Sequence, residues 1–351
     1  MASSHKGMQV NQNETVVNLA LQGGGSHGAF TWGVLDRLLE ESWLGFDGLS
    51  GTSAGAVNAA LMLDGWAEGG RERAREKLRQ FWTAVGEFHA FTPFRRHPLD
   101  VWMGRFGFDL SFSYHLFASF SHLISPYQWN PTNINPVRGL LEAHLNFDRL
   151  RKFNEVKLFV SATCVETGRI RVFRREELDL GAMLASTALP LMFHAPEVDG
   201  QHYWDGGFVG NPALYPIFYE CAATDLVIVQ INPLRRDAVP KTVFEIQDRM
   251  SEIAFNASLA SEMRAIHFVN RLIEKGALNQ ERYRKVLVHR IEAEDEMRPL
   301  GSATKLLIEP EFLQRLFEFG RAAAENWLKE NRPKLGREST VDIPSMYLAH
   351  K

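Results

Sequence analysis

The chain has 351 residues, 45% of them hydrophobic, enough to bury a large core in one big domain or two modest ones. A formal charge of -3 argues against nucleic acid as a main partner, and two cysteines, Cys164 and Cys221, exclude a disulfide scaffold and fit a reducing compartment. The polar start MASSHKGMQVNQNET has no apolar signal region and no run of about 18 apolar residues follows, so the expectation is a cytoplasmic protein with no transmembrane span, a peripheral membrane contact staying open.

Residues 1–14 read as a disordered tail. TVVNLALQ (Thr15–Gln22) reads as a buried strand. GGGSHG follows, and Ala29–Glu41 then carries Phe30, Val34, Leu35, Leu38 and Leu39 at helical spacing. Leu44–Leu49 is a second strand, followed by GTSAG and a helix over about Ala54–Leu63. Two strand–glycine turn–helix units in succession predict a parallel sheet in an α/β fold. Residues 81–129 hold 14 of the chain's 39 aromatics. They predict an inserted helical subdomain (81–130) that is either plain core or an apolar lid for a fatty chain, with Arg95 and Arg96 near lipid headgroups. Further strands are expected at Lys157–Thr163, Arg169–Phe173, Leu226–Ile231 and Lys285–Ile291, and long helices at Thr242–Lys275 and Glu309–Glu330. With no repeat and no Pro-, Gly- or Ser-rich linker, one domain is preferred.

The pattern G-x-S-x-G occurs twice, as Gly24-Gly25-Ser26-His27-Gly28 and as Gly51-Thr52-Ser53-Ala54-Gly55. Taken singly, either is as well explained by a tight βα turn. Together they differ in chemistry. Ser53 is flanked by the small residues Thr52 and Ala54, as a strained nucleophile elbow requires. The first turn has Gly23, Gly24, Gly25 and Gly28, which allow backbone N–H groups to face an anion at the start of the next helix. Ser53 as nucleophile and the glycine loop as oxyanion donor is the economical assignment; Ser26 as nucleophile is the minority one. The same loop satisfies G-x-G-x-x-G, with Asp47 19 residues past Gly28. A dinucleotide site, however, needs that acid at the end of the second strand.

A Ser…Asp…His triad would look to His267, His289 or His350, none in an obvious loop context. The better signal is YWDGGFVGNPA (Tyr203–Ala213), although Asp205-Gly206-Gly207 alone would pass for a hairpin turn. GGGSHG, GTSAG and DGGFVGNP, in this order, resemble the oxyanion loop, elbow and aspartate motif of the patatin-like phospholipase family. PVRGLLEAHLNFDRLRK, FVSATCVETGRIRVF and ASTALPLMFHAPEVDG are similar to its middle region. The resemblance spans roughly Thr15–Pro233; two departures are Gln22, where members often have Asp, and His27, where they have Arg or Lys.

The resemblance implies a three-layer α/β/α hydrolase with a mainly parallel sheet. The catalytic domain would cover 15–235 and a C-terminal helical extension, 236–351, would pack on it. It implies a catalytic dyad of Ser53 and Asp205 without histidine, an oxyanion hole from Gly23, Gly24, Gly25 and Gly28, and support from His27, Gly51, Gly55, Gly206 and Gly207. The implied activity is acyl-ester cleavage of phospholipids or lysophospholipids through an acyl-enzyme, with no metal and no cofactor. The lipid substrate would be met at a membrane surface. An unperturbed aspartate is a weak base for a serine hydroxyl, so Asp205 is expected to be buried and within hydrogen-bond reach of Ser53. An esterase, thioesterase or acyltransferase on soluble acyl substrates stays open, as do a non-catalytic lipid-binding protein and a homo-oligomer.

Overall fold

A computed structural model describes residues 15–92, 96, 97, 106, 111, 116, 123–236, 238–279 and 282–348. Its centre is one eight-stranded sheet. The strands are β1 (Thr15–Leu21), β2 (Leu44–Thr52), β3 (Lys157–Cys164), β4 (Ile170–Arg174), β5 (Glu197–Val198), β6 (Gln201–Asp205), β7 (Asp225–Val229) and β8 (Leu287–Ile291). Their order is β5-β6-β3-β2-β1-β7-β8, with β4 also paired to β3. The four pairings among β3, β2, β1, β7 and β8 are parallel. Those to β4 and β6, and between β5 and β6, are antiparallel.

The principal helices are α1 (Gly28–Leu39), α2 (Ala54–Glu87), α3 (Pro136–His144), α4 (Phe147–Lys152), α5 (Leu180–Thr187), α6 (Tyr215–Glu220), α7 (Val243–Glu274) and α8 (Pro310–Asn331). Strand alternation sorts them into two layers. Val17, Leu19 and Leu21 of β1 join Phe30 and Val34 of α1, Leu61 of α2 and Leu316 of α8 in one core. Ala20, from the other face of the same strand, joins Ile217 of α6 with Leu259 and Met263 of α7. The architecture is therefore the three-layer α/β/α sandwich with a mainly parallel sheet that the sequence predicts.

Three predicted elements change. The helix expected over Ala54–Leu63 runs on to Glu87, with non-helical backbone at Gly69 and Gly70 marking a kink. The C-terminal part is not helices alone, because β8 completes the sheet beside β7. It is also locked to the first βα unit: a Cβ on Gly33 of α1 would stand 2.0 Å from the Phe317 carbonyl, and one on Gly320 of α8 would stand 2.0 Å from that of Phe30. Two helices approach this closely only where both lack a side chain at the crossing. Third, half of the aromatic insertion lies outside the described residues, and with it the lid reading and Arg95. Arg96 is described and does not face headgroups. It is 8% exposed, its Nε donates to Glu309 at 2.6 Å, and its guanidinium lies 4.4 Å from the centre of the Phe106 ring. The 1–14 tail and His350 are also outside the described residues.

Candidate active site

Ser53 is the single residue between β2 and α2 and has φ 54° and ψ -125°. A side chain rarely adopts that backbone, and it persists only where the surroundings over-determine it. Here they do. The Ser53 N–H donates to Ser186 Oγ at 3.0 Å, and that hydroxyl donates to the Ser161 carbonyl of β3 at 2.7 Å. Thr52 Oγ1 donates to the Gly210 carbonyl at 2.6 Å. Gly51 and Gly55 make the turn possible, since a Cβ on Gly55 would stand 2.2 Å from the Leu21 carbonyl and one on Gly51 2.7 Å from the Ala56 nitrogen. Ser53 is thus presented at the C-terminal edge of the parallel strands, at the positive end of α2.

Asp205 arrives at the same edge from β6. The register explains how: Thr52 pairs with Ser161 and Asp205 pairs with Ala162, so β3 separates serine and aspartate by one strand. Asp205 is held at three points. Its N–H donates to the Ala188 carbonyl at 2.8 Å, its carbonyl accepts Thr163 Oγ1 at 2.8 Å, and its Oδ1 accepts the Gly207 N–H at 2.8 Å. Gly206 and Gly207 leave room for this turn, since Cβ atoms there would stand 2.3 Å from the Ser161 carbonyl and 2.1 Å from the Phe255 ring. The residue is 1% exposed. Burial raises its carboxyl pKa to about 6, against the opposing effects of the neighbouring Ser53 hydroxyl, the Gly207 amide and the charge of Lys305. Oδ2 is buried and has no hydrogen-bond partner. Asp205 is thus buried, with the Ser53 hydroxyl near enough to act on its carboxyl; no close hydrogen bond is made to Oδ2, and such bonds commonly tighten only when substrate is bound.

The glycine loop packs directly on the elbow. A Cβ on Gly23 would stand 2.7 Å from the Thr52 carbonyl and 2.8 Å from Ser53 Cβ. The four predicted oxyanion donors are not equivalent. The Gly23 N–H is already spent on Asn211 Oδ1 at 2.6 Å, and the Gly28 N–H bonds within its own turn to the Gly25 and Ser26 carbonyls. That leaves Gly24 and Gly25, whose N–H groups have no partner among the described residues; Gly25 has φ 58°, which favours glycine.

A buried amide cluster holds this loop. Gln22 Oε1 accepts the N–H groups of Ile231 and Asn232 at 3.0 Å each and Asn232 Nδ2 at 3.1 Å. Its own Nε2 donates to Asn256 Oδ1 at 3.3 Å. Asn232 Nδ2 also donates to the Gly23 carbonyl at 3.0 Å. An aspartate at position 22 would be one methylene shorter and has no donor, so Asn256 Oδ1 would lose this bond.

His27 does not supply the charge that an Arg or Lys would bring at its position. Burial, then the charges of Lys305 and Arg236, push its pKa down to about 3, so it is neutral. Its Nε2 lies 2.7 Å from Thr304 Oγ1, and that hydroxyl donates to the Gly301 carbonyl at 2.7 Å. The hydroxyl's one proton is thereby used, so Nε2 carries the proton and donates, leaving Nδ1 as a bare lone pair. Ser26 Oγ donates to the Thr304 carbonyl at 2.9 Å, which ties the loop to that segment.

His289, His267 and Asp47 take other places in the fold. His289 is fully buried, bonded to Asp225 Oδ1 at 2.9 Å and Thr340 Oγ1 at 3.1 Å, with Asp225 at the far end of β7. His267 lies on α7. Asp47 Oδ2 accepts the Ala223 N–H at 2.9 Å and Oδ1 accepts Lys157 Nζ at 3.2 Å; these bonds outweigh burial and hold its pKa low, as a loop anchor. Sequence reasoning missed Asn211, although it lies within the DGGFVGNP motif, and it missed Asn232, Thr304 and Lys305, which lie in none of the quoted motifs.

The patatin-like phospholipase family profile matches residues 19–217, more than half of the chain. No curated protein matches. Among solved structures, VipD from Legionella pneumophila is 14% identical with a TM-score of 0.41, over 95% of this chain and 72% of that one. The type III effector protein ExoU is 17% identical with a TM-score of 0.33, over 90% of this chain and 53% of that one. ExoU of Pseudomonas aeruginosa in complex with SpcU is 15% identical with a TM-score of 0.28, over 89% and 53%. Among the described residues no helix is long and apolar enough to cross a membrane. The family match supports lipid acyl hydrolase activity, and the chain belongs to the patatin-like phospholipase family.

Proposed function

We propose that the protein is a serine-dependent lipid acyl hydrolase of the phospholipase A or lysophospholipase type, working through a Ser53–Asp205 dyad. The observation that carries this reading is Asp205: a buried carboxyl beside Ser53, with Oδ2 unpartnered and a pKa raised to about 6. A proton acceptor near 6 is better matched to a serine hydroxyl than an ordinary aspartate is.

In the first half-reaction Asp205 Oδ2 takes the Ser53 proton as Oγ bonds to the ester carbonyl carbon. The charge that develops on the carbonyl oxygen is met by the N–H groups of Gly24 and Gly25, with the start of α2 adding a favourable dipole. Collapse breaks the ester C–O bond, and the proton on Asp205 passes to the departing alkoxide, which leaves as the alcohol. In the second half-reaction Asp205 takes a proton from water, the hydroxide attacks the acyl-Ser53 ester, and a free fatty acid leaves as Ser53 regains its proton. The substrate class follows from the family, and a peripheral encounter with a lipid surface fits a chain whose substrate is held in one.

The test is fatty-acid release from mixed micelles of phosphatidylcholine and lysophosphatidylcholine, with fluorophosphonate labelling alongside. Wild-type protein should release acid and label, Ser53→Ala should do neither, and Ser26→Ala should label. Labelling that survives Ser53→Ala would refute the assignment.

A further inference from the structure

The glycine loop carries no charge of its own, because His27 is buried and neutral. A cation reaches the site from elsewhere in the chain. Residues Ser302–Leu306 form a short 3-10 turn that touches the loop at three places. Thr304 holds the side chains of Ser26 and His27. The Lys305 carbonyl lies where a Cβ on Gly25 would stand 2.4 Å away. Lys305 Nζ donates to Asn232 Oδ1 at 2.7 Å, and the same amide grips the Gly23 carbonyl. The Lys305 ammonium also lies 5.1 Å from the centre of the Phe255 ring, which packs against Gly207 in the turn after Asp205.

Resting on the dyad reading above, we propose that Lys305 is the positioning residue of the acyl-transfer site: it ties the oxyanion loop through Asn232 and supplies the positive charge that keeps Asp205 ionised and competent as a base. A role through Asp205 fits the charges present. Lys305 faces Glu252 and Asp248 of α7 as well as Asp205, all of which favour its ammonium form, while burial and Arg236 oppose it. Asp205 in turn meets the Ser53 hydroxyl, the Gly207 amide and Lys305, all favouring the carboxylate. Lys305 and Arg236 are the charges acting on His27, which they help keep neutral. A segment beyond the residues that carry the family pattern thus completes the site.

The experiment is the pH dependence of kcat/KM on p-nitrophenyl butyrate for wild type, Lys305→Met, Lys305→Gln and Lys305→Arg, with Ser53→Ala as control. Loss of the charge should move the acid limb to higher pH by about half to one pH unit, lowering kcat/KM at pH 6, the midpoint of the wild-type limb, by about 2- to 5-fold. Lys305→Arg should keep the wild-type limb. Lys305→Gln can still donate to Asn232, so it reads the charge alone if Lys305→Met folds poorly. An acid limb unmoved in Lys305→Gln would overturn the proposal, since a purely structural lysine changes stability without moving a titration. Should Ser53→Ala retain hydrolysis, the dyad reading fails first; a dead Ser53→Ala beside an unmoved limb rejects Lys305 alone.

Discussion

Replacing Asp205 by Asn should abolish activity and stabilise the protein, and the two effects have one cause. Burial holds the carboxyl at a pKa of about 6 against an ordinary 3.8. The folded state therefore binds the proton more tightly than the unfolded chain does. The stabilising contribution of the protonated carboxyl is complete below about pH 4 and is lost as pH rises through 6. At about 1.4 kcal/mol per pH unit, the difference amounts to about 3 kcal/mol that an ionised Asp205 costs at pH 7.5. Asn is isosteric and uncharged. Its Oδ1 keeps the Gly207 N–H bond, and its amide nitrogen takes the place of the unpartnered Oδ2 beside Ser53. With an unfolding entropy of about 2.1 cal/mol/K per residue over 351 residues, 3 kcal/mol corresponds to about 4 °C. Scanning calorimetry at pH 7.5 and pH 4 should find Asp205→Asn more stable by about this amount at the higher pH and equal to wild type at the lower. Fatty-acid release should fall by at least about three orders of magnitude. A variant less stable than wild type at pH 7.5 would show that burial does not strain Asp205, and one that keeps full activity would show that Asp205 is not the base.

Two further substitutions test the loop that faces the proposed dyad. Gly25→Ala places a Cβ 2.4 Å from the Lys305 carbonyl at φ 58°; displacing that N–H should lower kcat on p-nitrophenyl butyrate by about 10²- to 10³-fold, and an unchanged kcat would remove Gly25 from the oxyanion hole. Thr304→Val leaves the buried His27 Nε2–H without its acceptor, which should cost about 1–3 kcal/mol in urea denaturation. Thr304→Ser should restore most of it, and equal losses in both variants would mean that the methyl packing, not the hydroxyl, is what matters.

Much of the fold can be read from the chain because its signals are local. Val16–Leu21 is apolar except for Asn18, Gly23–Gly28 and Gly51–Gly55 are turn chemistry, and Phe30 to Leu39 repeat at helical spacing. Each is decided within a dozen residues by dihedral preference and burial, and together with the aspartate motif they identify the family. Asp205 was legible only through the resemblance: by itself Asp-Gly-Gly is a turn, whereas here it ends β6 at the edge where β2 ends.

What the sequence could not determine is everything that depends on which surfaces meet. Which loop amides remain available is set by Asn211, 188 residues from Gly23. The charge state of His27 is set by burial and by Lys305 and Arg236, so the histidine's ordinary titration range says nothing about it. Lys305 and Thr304 sit in an unmarked stretch some 278 residues beyond the loop they hold. The physical reason is common to all three. Backbone conformation follows from near neighbours in the chain, whereas desolvation, charge and hydrogen-bond availability follow from neighbours in space, which only the packing of distant segments such as Asn211, Arg236 and the Ser302–Leu306 turn against the first βα unit creates.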